Sequence, residues 1–346
     1  MDCAGTMSMF FHVGQDARGP TDRVFGLTNC HVLRTDTETD YEFNDGDSKD
    51  HVYLCSSRRF QRGLDDVETA IKKARANADS AASGLQGPGA DEQTKERLES
   101  DLKNLITFRD KLRSQWGDGQ FDRNIGHVVY APAIHIDRGN TEFTADWAAF
   151  EASKAQCSAG YKGNYVFLGS DTVQLELLNQ NAPHKPFAFP DEGKIRLSDF
   201  ASQTTLAVLP SRDNLGNECL FVAKGGSTTD LTIGRFSGIQ ACLHKNGIRS
   251  MAYAVYNSGD SHNQSFAKPG DSGSIVWYAV GDQGHIVGQL RSGSVVNDRN
   301  GGSHVTYLTP GWWLRDQVLQ KFPHADFFRT AWTVESLEES DGHLSS

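Results

Sequence analysis

The sequence contains no apolar run long enough to cross a membrane, which takes about 20 predominantly apolar residues. Met1 to Phe10 lacks a basic start followed by a long apolar run. No secretory signal is therefore expected, and the expected location is cytoplasmic or otherwise intracellular. An excess of positive charge is also missing: 34 Lys and Arg stand against 44 Asp and Glu, a formal net charge of -10. Phosphate contacts need clustered cations, so nucleic-acid partners are not expected, nor is a membrane. None of the six cysteines (Cys3, Cys30, Cys55, Cys157, Cys219 and Cys242) falls in a Cys-x-x-Cys pair. A zinc site is not expected, and no cofactor is called for. Without a signal, these thiols are expected to stay reduced. No repeat of fixed period runs through the chain.

What is present suits a packed protein. The 346 residues include 38% hydrophobic residues and 34 glycines. That length fits two packed subdomains, or one large β domain with insertions. Short apolar runs such as Met7–Phe11 and Val24–Leu27, broken by Gly, Pro and Asp, read as short strands. Between about 63 and 116 the pattern changes. Leu64, Val67, Ile71 and Ala74 keep helical spacing, as do Leu98, Leu102, Leu105, Ile106 and Leu112. Ser83 to Gly89 is a strong breaker between them. Asp65 or Asp66 is the candidate cap of the first helix and Asp91 of the second. The reading is a helical hairpin inserted into a β protein. It is either a surface decoration or a candidate contact for a regulatory protein.

Strand patterning resumes with Ile125–Tyr130 and Asp146–Phe150. The stretch 161–216 has no clear assignment. From 217 to 311, short strands with Gly turns return, among them Leu220–Ala223, Leu231–Gly234 and His285–Gly288. Trp313, Leu314, Val318, Leu319 and Phe322 keep helical spacing, so a C-terminal helix is predicted over 312–330. The polar, acidic tail 334–346 is expected to be disordered.

Three short segments carry chemistry. In Pro269-Gly270-Asp271-Ser272-Gly273-Ser274 a serine sits among glycines, ahead of the apolar Ile275-Val276-Trp277. Such a turn can present a hydroxyl without crowding, and its Gly270 and Ser272 N–H groups can face a developing oxyanion. The same composition also makes ordinary hairpin turns. In Leu27-Thr28-Asn29-Cys30-His31 an apolar strand leads to a histidine, the usual base for a serine nucleophile near neutral pH. His31 is one of 12 histidines, and a structural role is its bland alternative. In Ala145-Asp146-Trp147 an acid opens an apolar strand, where it needs a partner such as an imidazole N–H. The order His, Asp, Ser differs from the Ser, acid, His order of α/β-hydrolases, and Gly270-Asp271-Ser272-Gly273 is not their Gly-x-Ser-x-Gly elbow.

Together these segments resemble the motifs of trypsin-like serine peptidases of the chymotrypsin superfamily, in the branch without the secreted enzymes' disulfides. Leu27 to Leu33 resembles the histidine motif, Asp146 to Phe150 the aspartate motif and Gly270 to Ser274 the nucleophile motif. Lys224 to Thr229 with Leu231 to Gly234 is similar to the strand pair opening the second barrel. Val287 to Gly293 is similar to the strand that pairs with bound peptide. The resemblance implies a mostly β fold: two antiparallel β-barrels of the chymotrypsin type with the helical hairpin inserted. The first barrel would span 1–160 and carry His31 and Asp146. The second would span 217–311 and carry Ser272. It implies a serine endopeptidase with His31, Asp146 and Ser272 as catalytic triad and Gly270 and Ser272 as oxyanion hole. Phe266 would lie at the base of the primary pocket, and Arg291, Ser292 and Gly293 along an extended protein or peptide substrate. The alternative is a catalytically silent or conditionally active module that binds peptides.

Three departures from the family pattern stand out. The chain has no Ile-Val-Gly-Gly start, so Asp271, matched to the aspartate that receives such a terminus, must find another partner. Cys30 precedes His31 rather than following it. The position six before the nucleophile is Phe266 rather than Asp, so a preference for Lys or Arg is not implied.

Overall fold

In the computed structural model the described residues are 4–16, 19–55, 57–82, 92–114, 123–168, 174–181, 187, 189–190, 192–245, 247–257, 265–294 and 305–333. The chain divides into two compact units: Met1–His51 with Gly126–Ser346, and Val52–Ile125.

The larger unit is mostly β, with sheets curled into half-barrels. One sheet orders its strands Ala325–Asp326, Met9–Asp16, Gly19–Thr28, Ala148–Ala152, Asn124–Ala131 and Tyr41–Glu42, with antiparallel pairing throughout. Strand alternation explains Met9–Asp16: Met9, Phe11 and Val13 are buried on one face.

In the other sheet, Glu218–Gly226, Asp230–Lys245, Ile248–Asn257, Val305–Pro310, Gln283–Ser294 and Ile275–Val280 pair in turn, all antiparallel. Ile275–Val280 also pairs with Glu218–Gly226, so the pairings return to their starting strand. The stretch 161–216, left unassigned from sequence, extends this sheet. Lys194–Phe200 runs parallel to Gln283–Ser294, and Tyr165–Phe167 pairs with Lys194–Phe200. Both strands are short; Lys194 to Ser198 alternates polar and apolar residues and buries Ile195 and Leu197. A shared apolar cluster joins the sheets, with Phe11, Phe25 and Leu27 from one and Trp277 and Ile286 from the other. It is this cluster that sets the two halves of the candidate site in a fixed relation.

The C-terminal helix is shorter than predicted. It spans Gly311–Lys321 rather than 312–330 and buries Trp313, Leu314 and Val318. Phe322 N still donates to Val318 O at 2.7 Å, but Pro323 has no N–H with which to continue the ladder. Ala325–Asp326 then pairs with Val13 and His12 as an edge strand.

The smaller unit contains the hairpin, as helices Ser57–Ala82 and Glu92–Leu112, which pack on each other. The first begins earlier than the 63 boundary read from sequence. Gly63 lies inside it with open space around its Cα, where glycine costs only about 1 kcal/mol against alanine. Asp65 and Asp66 are therefore interior residues and not caps, and Asp65 accepts a hydrogen bond from Gln61 Nε2 at 2.9 Å. The breaker 83–89, Asp91 and the tail 334–346 lie outside the described residues. Because the hairpin is a compact unit of its own, replacing Leu64 to Ser114 with a short Gly/Ser linker is expected to leave a soluble protein with a cooperative thermal transition. Loss of soluble protein in that deletion would show that the Leu98–Leu112 stripe belongs to the main core.

His12 gives the fold a pH dependence. It is 1% exposed, set edge-on to Tyr161 at 5.3 Å and Trp332 at 6.5 Å between ring centroids. Burial, and after it the charge of Arg329, lowers its pKa from 6.5 to about 4. The unfolded chain then takes up the proton more readily than the folded one. Stability is full above about pH 6.5 and falls as the pH drops toward about 4, by about 3 kcal/mol. Urea denaturation at pH 7 and pH 5 is expected to show a smaller stability loss in His12→Leu than in the wild type. An unchanged loss would remove His12 from this account.

Candidate active site

The strand Gly19–Thr28 delivers a polar segment between the two sheets. Asn29 is fully buried, and a single helical turn, Cys30–Leu33, follows. His31 sits in this turn with its side chain 37% exposed, while that of Asp146 is 5% exposed. His31 Nδ1 lies 2.7 Å from Asp146 Oδ2, and His31 N donates to Asp146 Oδ1 at 3.2 Å. A carboxylate opposite Nδ1 calls for the proton there, which leaves Nε2 as the basic nitrogen. Neighbouring Cys30 is no competing nucleophile: burial, and then the charge of Asp146, push its thiol up to about 12.

The serine turn depends on its glycines. Gly270 has φ +99 and Gly273 φ +93, left-handed values that other residues rarely adopt. A Cβ on Gly273 would lie 2.0 Å from Thr6 O and 2.3 Å from Thr28 Oγ1. The turn therefore packs directly on the strand that leads to His31. Gly273 N donates to Leu290 O at 2.8 Å, and Leu290 N to Ser274 O at 2.9 Å. The Gly270 and Ser272 N–H groups form no hydrogen bond among the described residues.

Every backbone carbonyl of the turn that borders the N-terminal segment is held by it. Thr6 N donates to Ser272 O at 2.7 Å, and Thr6 Oγ1 to Gly270 O at 3.2 Å. Ser8 Oγ donates to Gly273 O at 2.6 Å. A buried polar chain then runs back to the acid. Gln289 Nε2 donates to Ser8 Oγ at 2.7 Å. Asn29 Nδ2 donates to Gln289 Oε1 at 3.2 Å and to Asp146 O at 2.8 Å. The backbone of Asp146 and the serine turn are thus tied through three side chains.

Asp271, left without a partner by the sequence, finds one in Lys224. Both side chains are fully buried, with Lys224 Nζ 3.4 Å from Asp271 Oδ2. Asp271 Oδ1 accepts from Thr228 N at 2.8 Å and Thr229 N at 3.2 Å. Its Oδ2 accepts from Thr229 Oγ1 at 2.7 Å and Lys268 N at 2.9 Å. Lys224 also donates to Thr229 Oγ1 and Asp230 O. Burial pushes the Asp271 carboxyl up, but the Lys224 charge and these donors outweigh it and hold the pKa below its ordinary value. Burial lowers the Lys224 pKa as well, against the pull of Asp271. With every donor aimed at it, Asp271 is the carboxylate, and Lys224 is its countercharge.

The other predicted residues fall in different places. Phe266 is 1% exposed and belongs to the apolar cluster of the second sheet, with Val255, Leu290 and Leu308. Its side chain is part of that core. Ser292 and Gly293 are exposed on the last part of Gln283–Ser294, next to the partly buried Arg291. Thr6, Ser8, Asn29, Lys224 and Gln289 were not found from sequence. The described residues contain no group of three or more His, Cys, Asp or Glu able to hold a metal ion.

No family model matches the sequence, and no curated protein does. Solved structures of chymotrypsin-like serine proteases do match. One is a glutamic acid-specific serine protease that uses a histidine triad in substrate binding, at 12% identity and TM-score 0.30, covering 58% of this chain and 73% of that one. Another is Cellulomonas bogoriensis chymotrypsin, at 18% identity and TM-score 0.29, covering 60% and 76%. At these scores the likeness carries no argument about the site, whose chemistry rests on its own geometry.

Proposed function

We propose that this chain is a serine endopeptidase with two chymotrypsin-like barrels, in which Ser272 is the nucleophile, His31 the general base and Asp146 the residue that orients His31. The observation that carries this reading is the buried Asp146 carboxylate on His31 Nδ1, in a polar network that ends on the glycine turn of Ser272. A structural histidine needs no second ring nitrogen kept basic, and an ordinary turn needs no such network.

The chemistry follows from these roles. His31 Nε2 takes the hydroxyl proton as Ser272 Oγ attacks the scissile carbonyl carbon. The Gly270 and Ser272 N–H groups receive the charge that builds on the carbonyl oxygen. His31 returns the proton to the leaving amine as the C–N bond breaks, and an acyl-enzyme remains. Water then attacks that ester, again with His31 as base, and frees the acid and Ser272. An extended peptide pairs with the exposed edge at Arg291 to Gly293.

A peptide library incubated with the wild type and with Ser272→Ala tests the reading. Cleavage by the wild type, reduced by about 10⁶ in the variant as expected when one member of a cooperative unit is lost, is the expected result. Equal cleavage by both proteins would overturn it, and no cleavage by either would leave the silent binding module as the function.

A further inference from the structure

We infer that Arg291 binds a carboxylate of the substrate, so that the peptides cleaved carry Asp or Glu beside the scissile bond. This rests on the peptidase reading and adds a substrate class to it.

Arg291 directly follows Leu290, whose N–H and C=O both bond to the serine turn. Between Leu290 and Ser292 the pairing with Val305–Pro310 shifts register: Leu290 faces Leu308 and Ser292 faces Tyr307, which leaves Arg291 as the extra residue of a bulge. Bulges recur beside active sites because they free one side chain from the ladder and re-aim it. Arg291 is partly buried, and its Nη2 is buried with no hydrogen-bond partner among the described residues. Burial lowers its pKa, while the charge of Asp146 acts in the opposite sense. Asp146 does not supply the missing hydrogen bond: Nη2 has no partner among the described residues, and the Asp146 carboxylate meets His31.

A desolvated guanidinium with an idle donor is unfavourable in the resting protein. It becomes favourable when a carboxylate docks, because arginine presents planar, paired donors to that group. The rest of the site agrees. Phe266, at the position where an acid would attract Lys or Arg, is sealed in the core. The overall charge of -10, by contrast, opposes acidic peptides at long range. Discrimination by Arg291 is therefore a contact effect and survives physiological salt.

The test uses matched peptides with Glu or Gln at each position from three residues before to two after the scissile bond. The wild type is expected to favour Glu over Gln in kcat/KM by about ten- to a hundredfold at one position, the range for a charge-assisted hydrogen bond. Arg291→Gln is expected to bring that ratio close to one, and Arg291→Glu to favour Lys at the same position. Equal rates for Glu and Gln in the wild type, a ratio that persists in a folded Arg291→Gln, or a preference for Lys or Arg in the wild type would each overturn the inference. Covalent labelling of Ser272 by a fluorophosphonate separates the two levels. Labelling and cleavage without acidic preference remove only the role of Arg291, whereas absence of both removes the peptidase reading and this inference with it.

Discussion

Asp146→Asn is expected to lower kcat by about 10⁴ with little change in fold, the size of effect a wrong imidazole tautomer produces in a Ser-His-Asp template. The carboxylate can only accept at His31 Nδ1. An asparagine can turn its NH₂ to that nitrogen, which moves the proton to Nε2 and removes the base that the proposed mechanism requires of His31. The backbone bonds need not change. Asn29 still donates to the residue 146 carbonyl, and an amide oxygen can still accept from His31 N. Imidazole ¹⁵N shifts read the tautomer directly, and kcat on a cleavable peptide reads the consequence. Full turnover in Asp146→Asn would mean that another group supports His31. Asp137 is a poor substitute, because its carboxylate is occupied by Thr141 Oγ1 at 2.8 Å and Asn140 Nδ2 at 3.1 Å in its own loop.

Lys224→Met is expected to lower both stability and turnover. Methionine fits the stem of the lysine but leaves the Asp271 carboxylate buried without its countercharge. Breaking one side of a buried pair typically costs about 3–5 kcal/mol. Asp271 directly precedes Ser272, so relaxation at 271 moves the Gly270 and Ser272 N–H groups, and loss of one oxyanion donor costs about 10²–10³ in kcat. The pH dependence has a definite sign. The Asp271 pKa is held below its ordinary value, so its stabilisation is complete above the ordinary carboxylate range and disappears as the pH falls through that lower value. The stability gap between wild type and Lys224→Met is therefore largest near neutral pH and closes in acid. Lys224→Met combined with Asp271→Asn removes both charges and is expected to regain part of the stability without regaining full turnover. If Lys224→Met alone kept wild-type turnover and melting temperature, the lysine would play no part in holding the turn.

His31, Asp146 and Ser272 stand out as candidates in the sequence because each lies in a local pattern: a histidine after a strand, an acid before one, a serine among glycines. The residues that hold them in place leave no such pattern. Lys224 reaches Asp271, and Ser8 reaches Gly273 across 265 positions of chain. Lys, Thr, Ser and Gln are common surface residues, and only the register of distant strands buries these particular ones. Phe266 was placed by its spacing from the serine, but spacing does not report which way a ring turns, and this one joins Val255 and Leu308 in the core. The overlong C-terminal helix has a simpler cause. The apolar spacing ends at Phe322, and the predicted range of 312–330 runs past Pro323, a stop signal present in the sequence itself. Lys194–Phe200 does alternate polar and apolar residues over Lys194 to Ser198, a signal of five residues only, and the three residues of Tyr165–Phe167 form a strand because Lys194–Phe200 offers them an edge.

The central claim is that His31 and Asp146 make the Ser272 hydroxyl nucleophilic in this fold. Reaction with a fluorophosphonate, followed by mass spectrometry of the intact and digested protein, tests it most directly. The reagent phosphonylates an activated serine and displaces fluoride, and a free serine hydroxyl scarcely reacts. The account predicts a single adduct on the peptide containing Ser272, absent in Ser272→Ala and strongly slowed in His31→Ala. A folded wild-type protein that takes up no reagent, or an adduct that persists in Ser272→Ala, would contradict it.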